Sequence, residues 1–308
     1  MGKLFWAAVA AILLAGCGRS PEFYFGRANR QLSVGKDKMA LQDYNKAIML
    51  RRKFPEALTA RGMLYERQGD KQKAMLDYRK SIEVDPSYLP AYNNAGALLM
   101  DGDNYREAVD LFSQALSVNR DYAYALLNRG LSYYKQNDCA SARADLTRAV
   151  ALNDKFELAF YHRALCSRKE GRAEEAAADL DAVLALNPAA ALAWLERGKL
   201  RYAARDHAGA AGDFAKAHEL NKKDPAAAYW LGLALFKTGY LEGALEKAQA
   251  AYELKPDSHL AAGLLGDICA ARKDYPKARE YYAAAAGLSS KYAAFYKGRL
   301  AGLGRAGR

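Results

Sequence analysis

The side chains with the most chemistry to offer in this 308-residue sequence are four cysteines, four histidines and several adjacent carboxylates. The histidines, His162, His207, His218 and His259, share no spacing that would place two on one metal ion. They read as surface or groove polar residues. Cys17, Cys139, Cys166 and Cys269 are too few for a disulfide scaffold and lack the tight pairs of a zinc site. The sequence has no glycine-rich phosphate loop, no HExxH pair and no nucleophile elbow. No catalytic residue, metal or cofactor is therefore expected, and an enzyme is the least favoured class.

Composition narrows the classes further. Hydrophobic residues make up 51% and charged residues 26%, the balance of a folded chain. The formal charge of +11 raises nucleic acid, an anionic membrane or an acidic partner, and decides among them only once the charge is located. A prior of about 150 residues per domain suggests two domains, unless internal repeats override it.

The first residues read as an address. Lys3 precedes an apolar run over residues 4–15, which fits a secretory core and falls short of the ~20 residues of a spanning helix. The run ends in Leu14-Ala15-Gly16-Cys17, which resembles the lipobox of bacterial lipoproteins. The resemblance implies that residues 1–16 are a signal peptide, that cleavage precedes Cys17 and that the Cys17 thiol carries the lipid. Residues 17–20 then form the anchor and a short linker. Gly18 replaces the Asp that retains enterobacterial lipoproteins at the inner membrane, so the expected location is the outer membrane, facing the periplasm.

One period of 34 residues organises the rest. Ala40, Ala74, Ala108, Ala142, Ala176, Ala210, Ala244 and Ala278 recur at that interval. Twelve residues before each lies a small residue, from Ala28 and Gly62 to Gly266. Four residues after each lies a larger apolar one, except Ala248. This resembles the tetratricopeptide repeat (TPR). The resemblance covers eight repeats, 21–54, 55–88, 89–122, 123–156, 157–190, 191–224, 225–258 and 259–292, followed by a cap helix and basic tail over 293–308. The cap helix is expected to fray near Leu303. The implied fold is all-α: a right-handed superhelical solenoid of antiparallel helix pairs in one uninterrupted array. Apolar periodicity gives a first helix with positions 4, 8 and 11 inward and a second with 20, 24 and 27 inward. All eight prolines fall between repeats or in first helical turns, where they cost little. Glu174 and Glu175 then sit at a helix start, where negative charge suits the dipole.

Two positions co-vary. Arg27, Arg61, Arg129, Arg163 and Arg197 occupy position 7, and Asp43, Asp77, Asp145, Asp179 and Asp213 occupy position 23 of the same repeats. The other three repeats have neither. An intra-repeat ion pair, bidentate where geometry allows, is the expected use of these arginines. Cys139 begins a second helix and Cys166 ends the next first helix. Their antiparallel packing leaves a disulfide and two buried thiols as equal readings.

The TPR resemblance implies a concave groove lined by first helices and holding a peptide or helix of a protein partner. Positions 5, 9 and 12 of repeats four to seven are mostly apolar: Leu127, Leu131, Tyr134, Tyr161, Leu165, Leu195, Tyr202, Tyr229, Leu233 and Phe236, with Arg168 and Lys199 as exceptions. Position 6 adds a polar ladder through Asn94, Asn128, His162 and Glu196 to Trp230. The asparagines are expected to bind a ligand backbone. Packing between neighbouring first helices is the competing use of the whole set. The basic clamp of TPR chaperone adaptors is not carried over, since only Asn29 fits it.

The expected function is a membrane-anchored interaction scaffold of the bacterial envelope. Its organisation resembles pilotins and hydrolase-scaffolding lipoproteins. The alternative is a self-associating or peptidoglycan-contacting envelope protein without a dedicated peptide ligand. Nucleic acid is disfavoured once charge is located: residues 1–20 carry +2, repeat one +5 and residues 293–308 +4, while repeats two to eight sum to zero.

Overall fold

The computed structural model describes residues 19–306, so the leader and Cys17 lie outside the described residues. Every element among the described residues is a helix. The chain divides after Asp154 into two compact units of four repeats each, where the sequence expects one array.

In the first unit the pairs are α1 (Pro21–Ser33) with α2 (Asp37–Leu50), α3 (Pro55–Arg67) with α4 (Lys71–Val84), α5 (Leu89–Asp101) with α6 (Tyr105–Val118), and α7 (Ala123–Lys135) with α8 (Cys139–Leu152). The second unit holds α9 (Glu157–Lys169) with α10 (Ala173–Leu186), α11 (Ala191–Ala203) with α12 (His207–Leu220), α13 (Pro225–Lys237) with α14 (Leu241–Leu254), α15 (His259–Ala271) with α16 (Tyr275–Leu288), and the cap α17 (Ala293–Ala306). Within each unit a second helix also packs on the first helix of the next repeat. First helices of successive repeats touch as well: α3 with α5, α5 with α7, α11 with α13, and α13 with α15. The first-helix layer is therefore the tighter one, and it is continuous over α3, α5 and α7 in the first unit and over α11, α13 and α15 in the second.

Local chemistry fixes the helix breaks. Position 15 of each repeat is in the left-handed region, as Gly35, Gly69, Gly171 and Gly239 in four repeats and as Asp103, Asn137, Arg205 and Lys273 in the others. Position 16 then starts the second helix. There the Asp70, Asp138, Asp206 and Asp274 carboxylates accept from the backbone three residues on and cap it.

The period-defining alanines are all fully buried. Opposite them, the six glycines at position 8 leave no room for a Cβ, while Ala28 and Ala164 fill the position in the other two repeats. A Cβ on Gly62 would lie 2.6 Å from the Tyr78 ring. In repeat seven, where position 24 is Ala248, a Cβ on Gly232 would lie 3.0 Å from the Ala248 backbone nitrogen. The small residue at 24 lets the two backbones approach, so helix replaces ring as the obstacle. The cap α17 closes the last repeat through buried Tyr296, whose hydroxyl donates to the His259 carbonyl at 3.0 Å. It continues to Ala306 instead of ending at Leu303, because Leu303 is itself buried in that core.

Candidate functional site

The position-7 arginines belong to the scaffold. Each donates through Nε and one terminal nitrogen to both oxygens of its aspartate: Arg27 to Asp43 at 2.6 and 2.6 Å, Arg61 to Asp77 at 2.8 and 2.7 Å, and Arg129 to Asp145 at 2.7 and 2.9 Å. In the second unit Arg163 reaches Asp179 at 2.8 and 2.6 Å, and Arg197 reaches Asp213 at 2.9 and 2.7 Å. All five aspartates are buried. Arg27 holds the Asp43 carboxyl below its ordinary value by hydrogen bonding, against a burial that pushes it up.

The remaining guanidinium nitrogen does something the sequence reading missed. Arg61 Nη1 donates to Asn45 at 2.7 Å, Arg129 Nη1 to Ser113 at 3.0 Å and Arg197 Nη1 to Asp181 at 2.6 Å. Each acceptor sits 16 residues before its arginine, at position 25 of the preceding repeat. One side chain thus ties its own helix pair together and joins it to the repeat before. The spacing of 16 on both sides of the arginine was the available signal. Arg201, out of place in the apolar stripe, makes a second contact to Asp213 at 3.0 Å.

The expected groove residues divide into two sets. Leu127, Leu165 and Leu195 are buried and leave the partner-contacting set. They fill the seams between helices, the competing use named for them above. Asn128 is also partly used internally, since its amide donates to Asn93 of the preceding repeat at 2.8 Å. Asn29, the lone match to the basic clamp, accepts from the Tyr44 hydroxyl at 2.5 Å. Asn94 is half-buried and lines a cavity of about 350 Å³ with Met63, Glu66, Arg67, Tyr78 and Ala97. Leu131 and Tyr134 are half-buried.

In the second unit Tyr161, Tyr202, Tyr229, Trp230, Leu233 and Phe236 are half-buried, with one side on the core and one toward solvent. Trp230 stacks on Phe214, with ring centroids 5.7 Å apart, and meets Tyr202 and Tyr229 edge-on. Burial pushes the Tyr229 phenol up to about 12. Two cavities open in the same register, two repeats apart. One, of about 450 Å³, lies among Leu158, Tyr161, His162, Val183 and Leu192. The other, of about 250 Å³, lies among Tyr229, Trp230, Ala251, Lys255 and Leu260. Leu158 and Leu192 are 54% and 59% exposed, unusual for leucines beside an apolar cavity. Position 2, where Leu158, Leu192 and Leu260 recur, was absent from the sequence reading because it lies outside the packed periodicity.

The two charged exceptions in the apolar set converge. Glu196, buried at position 6, accepts from Lys199 Nζ at 2.7 Å on Oε1 and holds Arg168 Nε at 3.2 Å from Oε2 as an ion pair without hydrogen-bond geometry.

Cys139 and Cys166 are both thiols, one half-buried and one buried, so the disulfide reading is not realised. Cys269 is a buried thiol, raised from its ordinary value by that burial. Among the described residues no group of His, Cys, Asp or Glu is placed to hold a metal ion. No helix there is long and apolar enough to cross a membrane.

Comparison with known proteins fits this geometry. Tetratricopeptide repeat models match residues 55–88, 127–191, 167–225, 195–259 and 244–293, and a TPR repeat model matches 96–137. The chain belongs to the tetratricopeptide repeat proteins. Similar solved structures include YrrB, described as a TPR protein with an unusual peptide-binding site. It is 25% identical over 60% of this chain and 95% of its own, with a TM-score of 0.53. PilF of Pseudomonas aeruginosa is 20% identical, covering 67% of this chain and 94% of its own at 0.60. A tetratricopeptide repeat protein from Parabacteroides merdae is 18% identical, covering 82% and 99% at 0.56. The last two bear on the fold alone. No curated protein matches the chain.

Proposed function

We propose that this protein is a lipid-anchored scaffold of the bacterial envelope, without enzymatic activity, that holds segments of partner proteins on its first-helix face. The observation that carries the reading is the apolar cavity beside Tyr161, rimmed by exposed Leu158 and Leu192, on a face the array leaves uncovered. The peptide-binding site in the description of YrrB supports the same use of a TPR array. The anchor rests on the sequence over residues 3–17, and the envelope location and outer-membrane assignment rest on it in turn.

Two measurements test the halves of this reading separately. Cells labelled with a clickable palmitate analogue should yield labelled protein that partitions into the detergent phase, and Cys17→Ser should abolish both. A labelled Cys17→Ser chain would refute the anchor. Crosslinking from membranes should recover partners with wild type and lose them with Leu158→Asp/Leu192→Asp. Both leucines are largely exposed, so the fold tolerates the change. Equal recovery would remove the first-helix face from the proposal.

A further inference from the structure

The first-helix face of repeats five and six carries an apolar cavity at one end and a cation pair at the other. Leu158 and Tyr161 bound the cavity at the start of α9, and Leu192 bounds it from α11. Arg168 projects seven residues further along α9 than Tyr161, about 10 Å at the rise of an α-helix. It meets Lys199 of α11 across the Glu196 carboxylate. Two cations therefore share one carboxylate. Glu196 is buried, while the Arg168 and Lys199 side chains are 42% and 26% exposed. The buried acid fixes where the cations stand and leaves one positive charge uncompensated on the solvent side. Glu170, the next carboxylate in sequence, is engaged with Arg172 at 3.2 Å.

We propose that this surface binds a peptide segment carrying a bulky apolar side chain and, about three residues away, a carboxylate. The apolar side chain enters the cavity and the carboxylate binds Arg168 and Lys199. The spacing follows from the ~10 Å separation and the ~3.1 Å per residue of a polyproline II segment, whose three residues per turn bring side chains three apart onto one face. This rests on the reading that the first-helix face takes partner segments and names the sequence class it selects.

The test is selection from a displayed library of random dodecapeptides on the full-length protein, run in parallel on two variants. Leu192→Asp removes the apolar rim. Arg168→Gln/Glu196→Gln/Lys199→Gln removes the cations together with the acid they neutralise, so no buried charge is stranded, and its melting curve confirms folding. Wild type should enrich peptides with an apolar residue and an acid about three apart. A selected peptide should bind about tenfold more weakly to the triple variant, the worth of one charged hydrogen bond, and its Gln-for-acid counterpart should bind both proteins equally. Peptides enriched without an acid, or bound equally by wild type and both variants, would overturn this inference and leave the partner-binding face intact. No enriched peptide at all would overturn both.

Discussion

At the scale of single residues, the position-7 arginine is the part on which most depends. It satisfies a buried aspartate in its own repeat and, in Arg61, Arg129 and Arg197, an acceptor in the repeat before. Loss of an aspartate should therefore cost more than loss of the upstream acceptor. Asp213→Ala, which abandons both Arg197 and Arg201, should lower unfolding free energy by about 3 kcal/mol, at the upper end for hydrogen bonds between charged groups. Asn45→Ala should cost about 1 kcal/mol, the worth of an ordinary hydrogen bond. Urea titration of both variants checks the order, and the reverse ranking would show that the inter-repeat link dominates. The Arg27–Asp43 pair also sets a pH dependence. The Asp43 carboxyl is held below its unfolded value, so its contribution is complete above about pH 4 and is lost as pH falls through the lower folded value. Wild type should lose stability in acid more steeply than Asp43→Asn, as urea midpoints between pH 6 and pH 2.5 will show.

At the scale of elements, the pairing distance of two helices is set by positions 8 and 24 together. Where position 24 is an aromatic, an added methyl at position 8 meets a ring that can shift; at Gly232 it meets the Ala248 backbone. Gly232→Ala should therefore destabilise by about 2 kcal/mol, within the range for overpacking. Gly62→Ala should cost less, and equal losses would show that the ring is as immobile as the backbone. The helix break offers the opposite sign. Arg205 and Lys273 hold left-handed backbone at the position glycine fills in four other repeats. A left-handed residue costs roughly 1–2 kcal/mol, and glycine gives back part of that through its own flexibility. Arg205→Gly should raise the melting temperature, and a fall would show that the Arg205 side chain holds the turn. The periodicity made all these helices legible. The reach of the arginine back to the preceding repeat was not, because its acceptors Asn45, Ser113 and Asp181 share no residue type that would mark position 25 as a partner.

At the scale of the whole molecule, the charge is segregated. The charges of repeats two to eight sum to zero, so the net +11 is carried by residues 1–20, repeat one and residues 293–308. Between residues 38 and 53, each exposed side chain is basic, apolar or uncharged, from Lys38, Met39 and Lys46 through Met49 and Leu50 to Lys53. Beside the proposed anchor such a surface suits an anionic bilayer, at about 1 kcal/mol per basic residue near the headgroups. A form beginning at residue 18 should bind vesicles containing phosphatidylglycerol at low salt and release them as salt rises. Lys46→Glu/Lys53→Glu should weaken the binding, and salt-independent binding would remove this surface from the proposal.

The sequence by itself determined the fold. A 34-residue period, alanine opposite a small residue, and prolines confined to breaks admit one way of burying apolar surface, the stacking of helix pairs. It also paired Arg27 with Asp43 and its four counterparts, because presence and absence matched across repeats. Only the tertiary structure decided which of the apolar first-helix residues remain available to a partner. Leu165 shares residue type and position 9 with the half-buried Leu131 and Leu233, yet it is buried, as are Leu127 and Leu195 at position 5. Exposure depends on how neighbouring helices close over a position, which residue type does not encode. The meeting of Arg168, Glu196 and Lys199 has the same origin: residues from two repeats become neighbours only when the helices that carry them pack.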